Sequence, residues 1–119
     1  MAPTQISGNG KQVRDVLHAK DCVSLYLSAS QNINNIRGEA FNIGGGQTNS
    51  MSLLELFNFV GDELGVEIEY ETLAARESDQ LVFVSDTTKL ESFLPWQAKI
   101  SKFDGIRLMI DWIKDAKPL

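Results

Sequence analysis

Glu39-Ala40-Phe41-Asn42-Ile43-Gly44-Gly45-Gly46-Gln47-Thr48-Asn49-Ser50-Met51-Ser52-Leu53-Leu54-Glu55-Leu56-Phe57-Asn58-Phe59-Val60-Gly61-Asp62-Glu63-Leu64 is the stretch whose reading decides the fold. Phe41 and Ile43 alternate with Asn42, as in a short buried strand. Gly44, Gly45 and Gly46 end that strand, because residues without Cβ reach dihedrals closed to others. Ser52 then opens a helix, and Glu55 stands three residues on, the spacing of a capping box. Leu53, Leu56, Phe57 and Val60 fall at i, i+3, i+4 and i+7 and form one apolar stripe. A strand, a glycine turn and a helix start together suggest a phosphate or nucleotide site.

Outward from this centre, the chain reads as an α/β (α+β) protein of about four helices with short strands. Its 119 residues fit a single domain, 1–119. Met1 to Ser7 is expected to be a loose leader. Lys11 to Leu17 reads as a short extended segment that carries Arg14. A helix is expected from about Ala19–Asp21 to Ser30, with acidic Asp21 in its first turn and Val23, Tyr26, Leu27 and Ser30 facing the core. Asn32 to Gly38 is a polar connection. Gly65 closes the central helix. Val66 to Thr72 alternates Val66, Ile68 and Tyr70 with Glu67, Glu69 and Glu71, which predicts a half-buried strand with an acidic outer face. Ala74 to Gln80 is a polar loop that carries Arg76. Leu81 to Val84 is β-prone. Ser85 or Asp86 is expected to cap a short helix that Leu94-Pro95-Trp96 ends. Ser101 caps the last helix, with Asp104 at the capping-box position. Its apolar side is either Phe103, Ile106, Ile110 and Ile113, or Leu108, Met109 and Trp112. Lys114 and Lys117 stand at the end that favours cations.

Composition narrows the function. The net charge of −5 argues against nonspecific nucleic-acid binding, which needs a basic footprint. No run approaches the roughly 18 apolar residues of a membrane span. The start of the chain lacks the basic and apolar regions of a signal peptide, so a cytoplasmic setting is expected. One cysteine, Cys22, allows no intramolecular disulfide. One Cys and one His make no zinc set, and no metal is expected.

Neither glycine cluster completes a dinucleotide fingerprint. Counting from Gly44 and Gly46, the third place falls on Asn49; counting from Gly8 and Gly10, it falls on Val13. Arg14 and Arg76 are the more informative cations. A guanidinium presents a planar fork of donors suited to phosphate, and two converging from distant positions would clamp a pyrophosphate. Composition alone favours two surface arginines.

The ordered motifs resemble a known family. Gly8-Asn9-Gly10-Lys11-Gln12-Val13-Arg14-Asp15-Val16-Leu17-His18-Ala19-Lys20-Asp21, Phe41-Asn42-Ile43-Gly44-Gly45-Gly46, Arg76-Glu77-Ser78-Asp79-Gln80, Ser85-Asp86-Thr87-Thr88-Lys89, Leu94-Pro95-Trp96 and the last helix are similar, in that order, to the C-terminal part of extended short-chain dehydrogenases acting on nucleotide sugars. That group is the NAD-dependent epimerase/dehydratases, with the CDP-paratose (CDP-tyvelose) 2-epimerases as the nearest branch. The resemblance implies a substrate-binding portion in which Arg14 and Arg76 contact the substrate's diphosphate. It also implies that Asp21 opens a helix and helps fix the arginine-bearing segment.

The family's NAD site and catalysis lie in a Rossmann domain that carries a Tyr followed four residues later by Lys. Here Tyr26 is followed by Ser30 and Tyr70 by Ala74. The resemblance therefore implies no catalytic residue and no cofactor site in this chain; NAD is expected only with a Rossmann partner. Ser78 stands where the family commonly has glycine before the aspartate. The expected partners are a nucleotide sugar, CDP-linked on this resemblance, and a second copy of the chain or a Rossmann domain. A rival expectation is an interaction domain that has lost sugar binding.

Overall fold

The computed structural model describes residues 3–116. Among them the chain forms two units, each drawn from separated stretches. One takes the chain up to Arg14 and then Met51–Phe83; the other takes Asp15–Ser50 and the chain from Val84 onward.

In the first unit, β1 (Thr4–Ser7) pairs in parallel with β4 (Tyr70–Leu73), with Thr4 opposite Tyr70 and Ser7 opposite Leu73. The segment expected as a leader is therefore a strand from Thr4, and Ile6 is buried within it. Met1 and Ala2 lie outside the described residues. The second strand, β2 (Val13–Asp15), pairs in parallel with β5 (Val82–Phe83), Arg14 opposite Phe83. Strand β3 (Ser50–Ser52) leads directly into the central helix, here α3 (Leu53–Leu64). Both halves of the expected capping box are present. The Glu55 amide donates to Ser52 Oγ at 3.1 Å, and the Ser52 amide donates to Glu55 Oε2 at 2.6 Å. Gly65 ends the helix in the left-handed conformation (φ 66°), as expected of a C-terminal glycine. The strand read from Val66 begins only at Tyr70, and all four of its residues are exposed. Alternation there marks a solvated ribbon held by the β1 ladder and not a face buried in the core.

The second unit holds α1 (Ala19–Gln31), the single-turn α2 (Ile33–Ile36), α4 (Thr88–Phe93) and α5 (Lys102–Asp115). Its core gathers Leu25, Ile36, Leu90, Leu94 and Trp96. The expected core face of α1 is the wrong one. Val23, Tyr26 and Leu27 are more than half exposed, whereas Asp21 and Leu25 are buried. Residues 21, 25, 29 and 32 follow one another by three or four and form the inner stripe. That stripe begins with an acid, which masks it in a reading by apolar residues alone. Trp96 Nε1 donates to Ser24 Oγ at 2.8 Å, which fixes the indole on the same helix.

Phe41–Ile43 was expected to be a strand and is not one. The Phe41 ring instead meets Phe93 edge-on, 5.4 Å between centroids. Thr87 takes the N-cap place of α4. Asp86 Oδ1 accepts from the Thr88 hydroxyl and amide, and these bonds, the hydroxyl first, hold its carboxyl below the ordinary value of 3.8. Ser101 caps α5 as expected, its Oγ accepting from the Asp104 amide at 3.1 Å. Within α5, Gly105 and Ile106 are buried, while Leu108, Met109, Trp112 and Ile113 are exposed. Lys114 lies in its last turn, and Lys117 lies outside the described residues. No helix among the described residues is long and apolar enough to cross a membrane.

Candidate functional site

Arg14 sits in the middle of β2, where pairing with β5 fixes its backbone. Its side chain is tied at two points. Nη1 donates to the carbonyl of Val13 at 2.8 Å, and Nη2 donates to Asp79 Oδ1 at 3.1 Å. The Arg14 and Asp79 side chains remain 41% and 26% exposed, so the pair opens to solvent. A half-exposed pair of this kind contributes about 0.2–1 kcal/mol to stability. Its larger consequence is geometric.

Asp79 is also the last residue of a tight turn. Its amide donates to the carbonyl of Arg76 at 3.2 Å, closing Arg76-Glu77-Ser78-Asp79 on itself. Ser78, at the third place of that turn, has φ 65°. A turn with positive φ at this place alone follows the type II pattern, which favours glycine. Arg76 opens the turn with its side chain exposed. One residue, Asp79, is thus bonded through its side chain to Arg14 and through its backbone to Arg76. Sixty-two positions separate the two arginines in the sequence, and this bridge brings their segments together. Asp79 had no assigned role in the sequence; the available signal was its place three residues after Arg76.

The glycine turn does something different from cradling a phosphate. Asp15 is the next residue of β2, so its side chain leaves the opposite face from Arg14. Asp15 Oδ2 accepts the Gly46 amide at 3.0 Å and the Ser85 amide at 3.2 Å. The buried Ser85 donates through Oγ to the carbonyl of Ile43 at 3.0 Å. A Cβ at Gly44 would collide with Asp15 Oδ2 and Ser85, and one at Gly45 with the carbonyl of Val16. The anion inside this turn is the chain's own carboxylate.

Asp21 acts in the same manner. It is 4% exposed, and its Oδ2 accepts the amides of Lys99 and Ile100 at 3.1 and 2.9 Å. The segment it holds is the one leading into α5. The imidazole of His18 caps α1, with Nδ1 accepting the Lys20 amide at 3.0 Å.

Comparison with known proteins shows what the chain is similar to. The model of the NAD dependent epimerase/dehydratase family matches residues 2–44. The CDP-paratose 2-epimerase of Salmonella typhi is 53% identical over 110 residues, covering 92% of this chain and 32% of that protein. A putative UDP-glucose 4-epimerase of Methanocaldococcus jannaschii is 32% identical over 110 residues, covering 92% of this chain and 34% of the relative. Among solved structures, the UDP-glucuronic acid 4-epimerase of Bacillus cereus, in complex with UDP-glucuronic acid and NAD, superposes with a TM-score of 0.85. It is 28% identical and covers 94% of this chain and 35% of that one. MoeE5 with UDP-glucuronic acid and NAD gives 0.84 at 26% identity, covering 94% and 36%. The chain spans about a third of the length of each of these proteins.

Proposed function

We propose, taking as premise the chain's kinship with the NAD-dependent epimerase/dehydratases, that it is the substrate-binding portion of a nucleotide-sugar epimerase and that Arg14 and Arg76 hold the diphosphate. The observation that carries this reading is the bridge through Asp79, which draws the segments of two distant arginines together. Guanidinium groups grip phosphate oxygens in pairs, and a solvent-open pair leaves donors available. The identity of 53% to a CDP-sugar enzyme, against 32% or less to the UDP-sugar relatives, favours a cytidine nucleotide.

On this reading the chain binds and orients but does not catalyse. Sugar epimerisation that passes through a ketone needs a hydride carrier and a base. The family resemblance assigns both to a Rossmann domain outside the matched third. NAD supplies the hydride chemistry there; the residues described above supply the grip on the diphosphate.

The test is thermal. A CDP-hexose at millimolar concentration raises the melting temperature of the 119-residue chain, and either Arg14→Ala or Arg76→Ala diminishes the shift. A shift of equal size in both variants would overturn the assignment.

A second reading has its own support. Val23, Tyr26 and Leu27 on α1, and Trp112 and Ile113 on α5, are each more than half exposed. Exposed apolar patches commonly mark interfaces, so an interaction domain, as a homo-oligomer or beside a Rossmann partner, is the rival. Absence of any ligand shift together with self-association in sedimentation would favour it; a stable monomer at micromolar concentration would remove its homo-oligomeric form.

A further inference from the structure

We infer that Asp79 is a positioning residue that orders Arg14 for an incoming diphosphate, an inference that rests on the substrate-binding reading above. An acid beside an anion site is at first sight a defect. Its charge repels the phosphate it would help to bind, and charge alone predicts that neutralising it tightens the complex. The geometry argues the other way.

An arginine side chain has several rotatable bonds and loses much freedom when it is fixed. Here that loss is met before any ligand arrives. The Val13 carbonyl holds Nη1 and the Asp79 carboxylate holds Nη2. These two points, with the covalent attachment through Nε, define the plane of the guanidinium. The guanidinium carries five N–H donors, and these two contacts leave the others for phosphate oxygens. Asp79 itself is held by its amide bond to the Arg76 carbonyl. Its carboxylate therefore stands in a fixed relation to the turn that presents Arg76. Binding energy is then not spent on ordering the two segments, which is how preorganisation strengthens a complex.

The experiment is a double-mutant cycle on the 119-residue chain with cytidine diphosphate as probe, read by titration calorimetry. Asp79→Ala leaves the backbone bond of the turn in place, and Asp79→Asn keeps the side chain's size. With Arg14 present, both weaken cytidine diphosphate by about three- to fivefold, the upper part of the range of a half-exposed ion pair. In the Arg14→Ala background, Asp79→Ala has no weakening effect. A role confined to folding the turn would weaken binding equally in both backgrounds. Unchanged or tighter binding by both Asp79 variants in the wild-type background would overturn the inference, as would equal losses in the two backgrounds.

A ligand-free measurement separates this inference from the reading on which it rests. The Nη protons of Arg14, identified by their loss in Arg14→Ala, show hindered rotation in wild type and averaged signals in Asp79→Ala. If the wild-type chain binds no cytidine diphosphate, the substrate-binding reading fails by itself. The Nη signals still decide whether Asp79 orders Arg14, and identical signals in wild type and Asp79→Ala would overturn it.

Discussion

Ser78 holds a backbone conformation that costs a residue with a Cβ roughly 1–2 kcal/mol relative to glycine. It is the only non-glycine residue at positive φ among those described. The surrounding bonds impose that strain: the Asp79–Arg76 backbone bond closes the turn, and the Arg14 pair holds its last residue. Ser78→Gly relieves the strain and also loosens the unfolded chain, so the net gain is about 1 kcal/mol. The expected outcome is a melting temperature higher by about 3–5 °C. A lower melting temperature would mean that the turn does not hold this conformation in solution. The strain was half legible. The resemblance leads one to expect a glycine here, and only φ shows that the serine takes a conformation that favours glycine.

At the scale of elements, α1 divides cleanly into a buried and an exposed stripe. Leu25→Ala removes part of the core around Trp96 and Leu90 and is expected to cost about 2–5 kcal/mol in urea unfolding. Tyr26→Ser, one residue away on the exposed stripe, should change stability by no more than about 0.5 kcal/mol. The reverse order would show that the helix packs by its other face. Three helix ends were readable because caps obey local rules, whereas α4 starts from Thr87 and not from the expected Ser85 or Asp86. Ser52 with Glu55, Gly65, and Ser101 with Asp104 each declare themselves within three or four residues. Faces and strands were harder. Helix α1 carries apolar residues on both stripes, and what selects the inner one is a distant bond, from Asp21 to Lys99 and Ile100. Thr4–Ser7 is a strand because Tyr70–Leu73 pairs with it, and Phe41–Ile43 is none although its alternation is the better. Pairing is nonlocal, and period-two alternation does not name a partner. For the site the division is similar. The arginines could be singled out as a residue type, whereas the aspartate that bridges their segments could not.

At the scale of the whole molecule, neither unit is a continuous stretch. The chain changes unit after Arg14, after Ser50 and after Phe83, so each unit is completed only by sequence that returns to it. With three covalent crossings, the expectation of a single domain becomes a calorimetric prediction. Heating should give one transition whose calorimetric and van't Hoff enthalpies agree. Two resolved transitions would mean that the units unfold separately. The boundary between Arg14 and Asp15 has a chemical counterpart. Arg14 bonds to Asp79 in the first unit, and Asp15 bonds to Gly46 and Ser85 in the second.

The closure of the glycine turn around Asp15 has a consequence for inheritance. Side chains at 44 and 45 are excluded by Asp15, Ser85 and the Val16 carbonyl. Selection on the turn therefore acts through folding, whatever the chain binds. Positions 15, 44 and 85 should change together across generations: a side chain at 44 needs room from both the acid at 15 and the serine at 85. Glycines at 44 and 45 thus answer to an internal constraint of the fold.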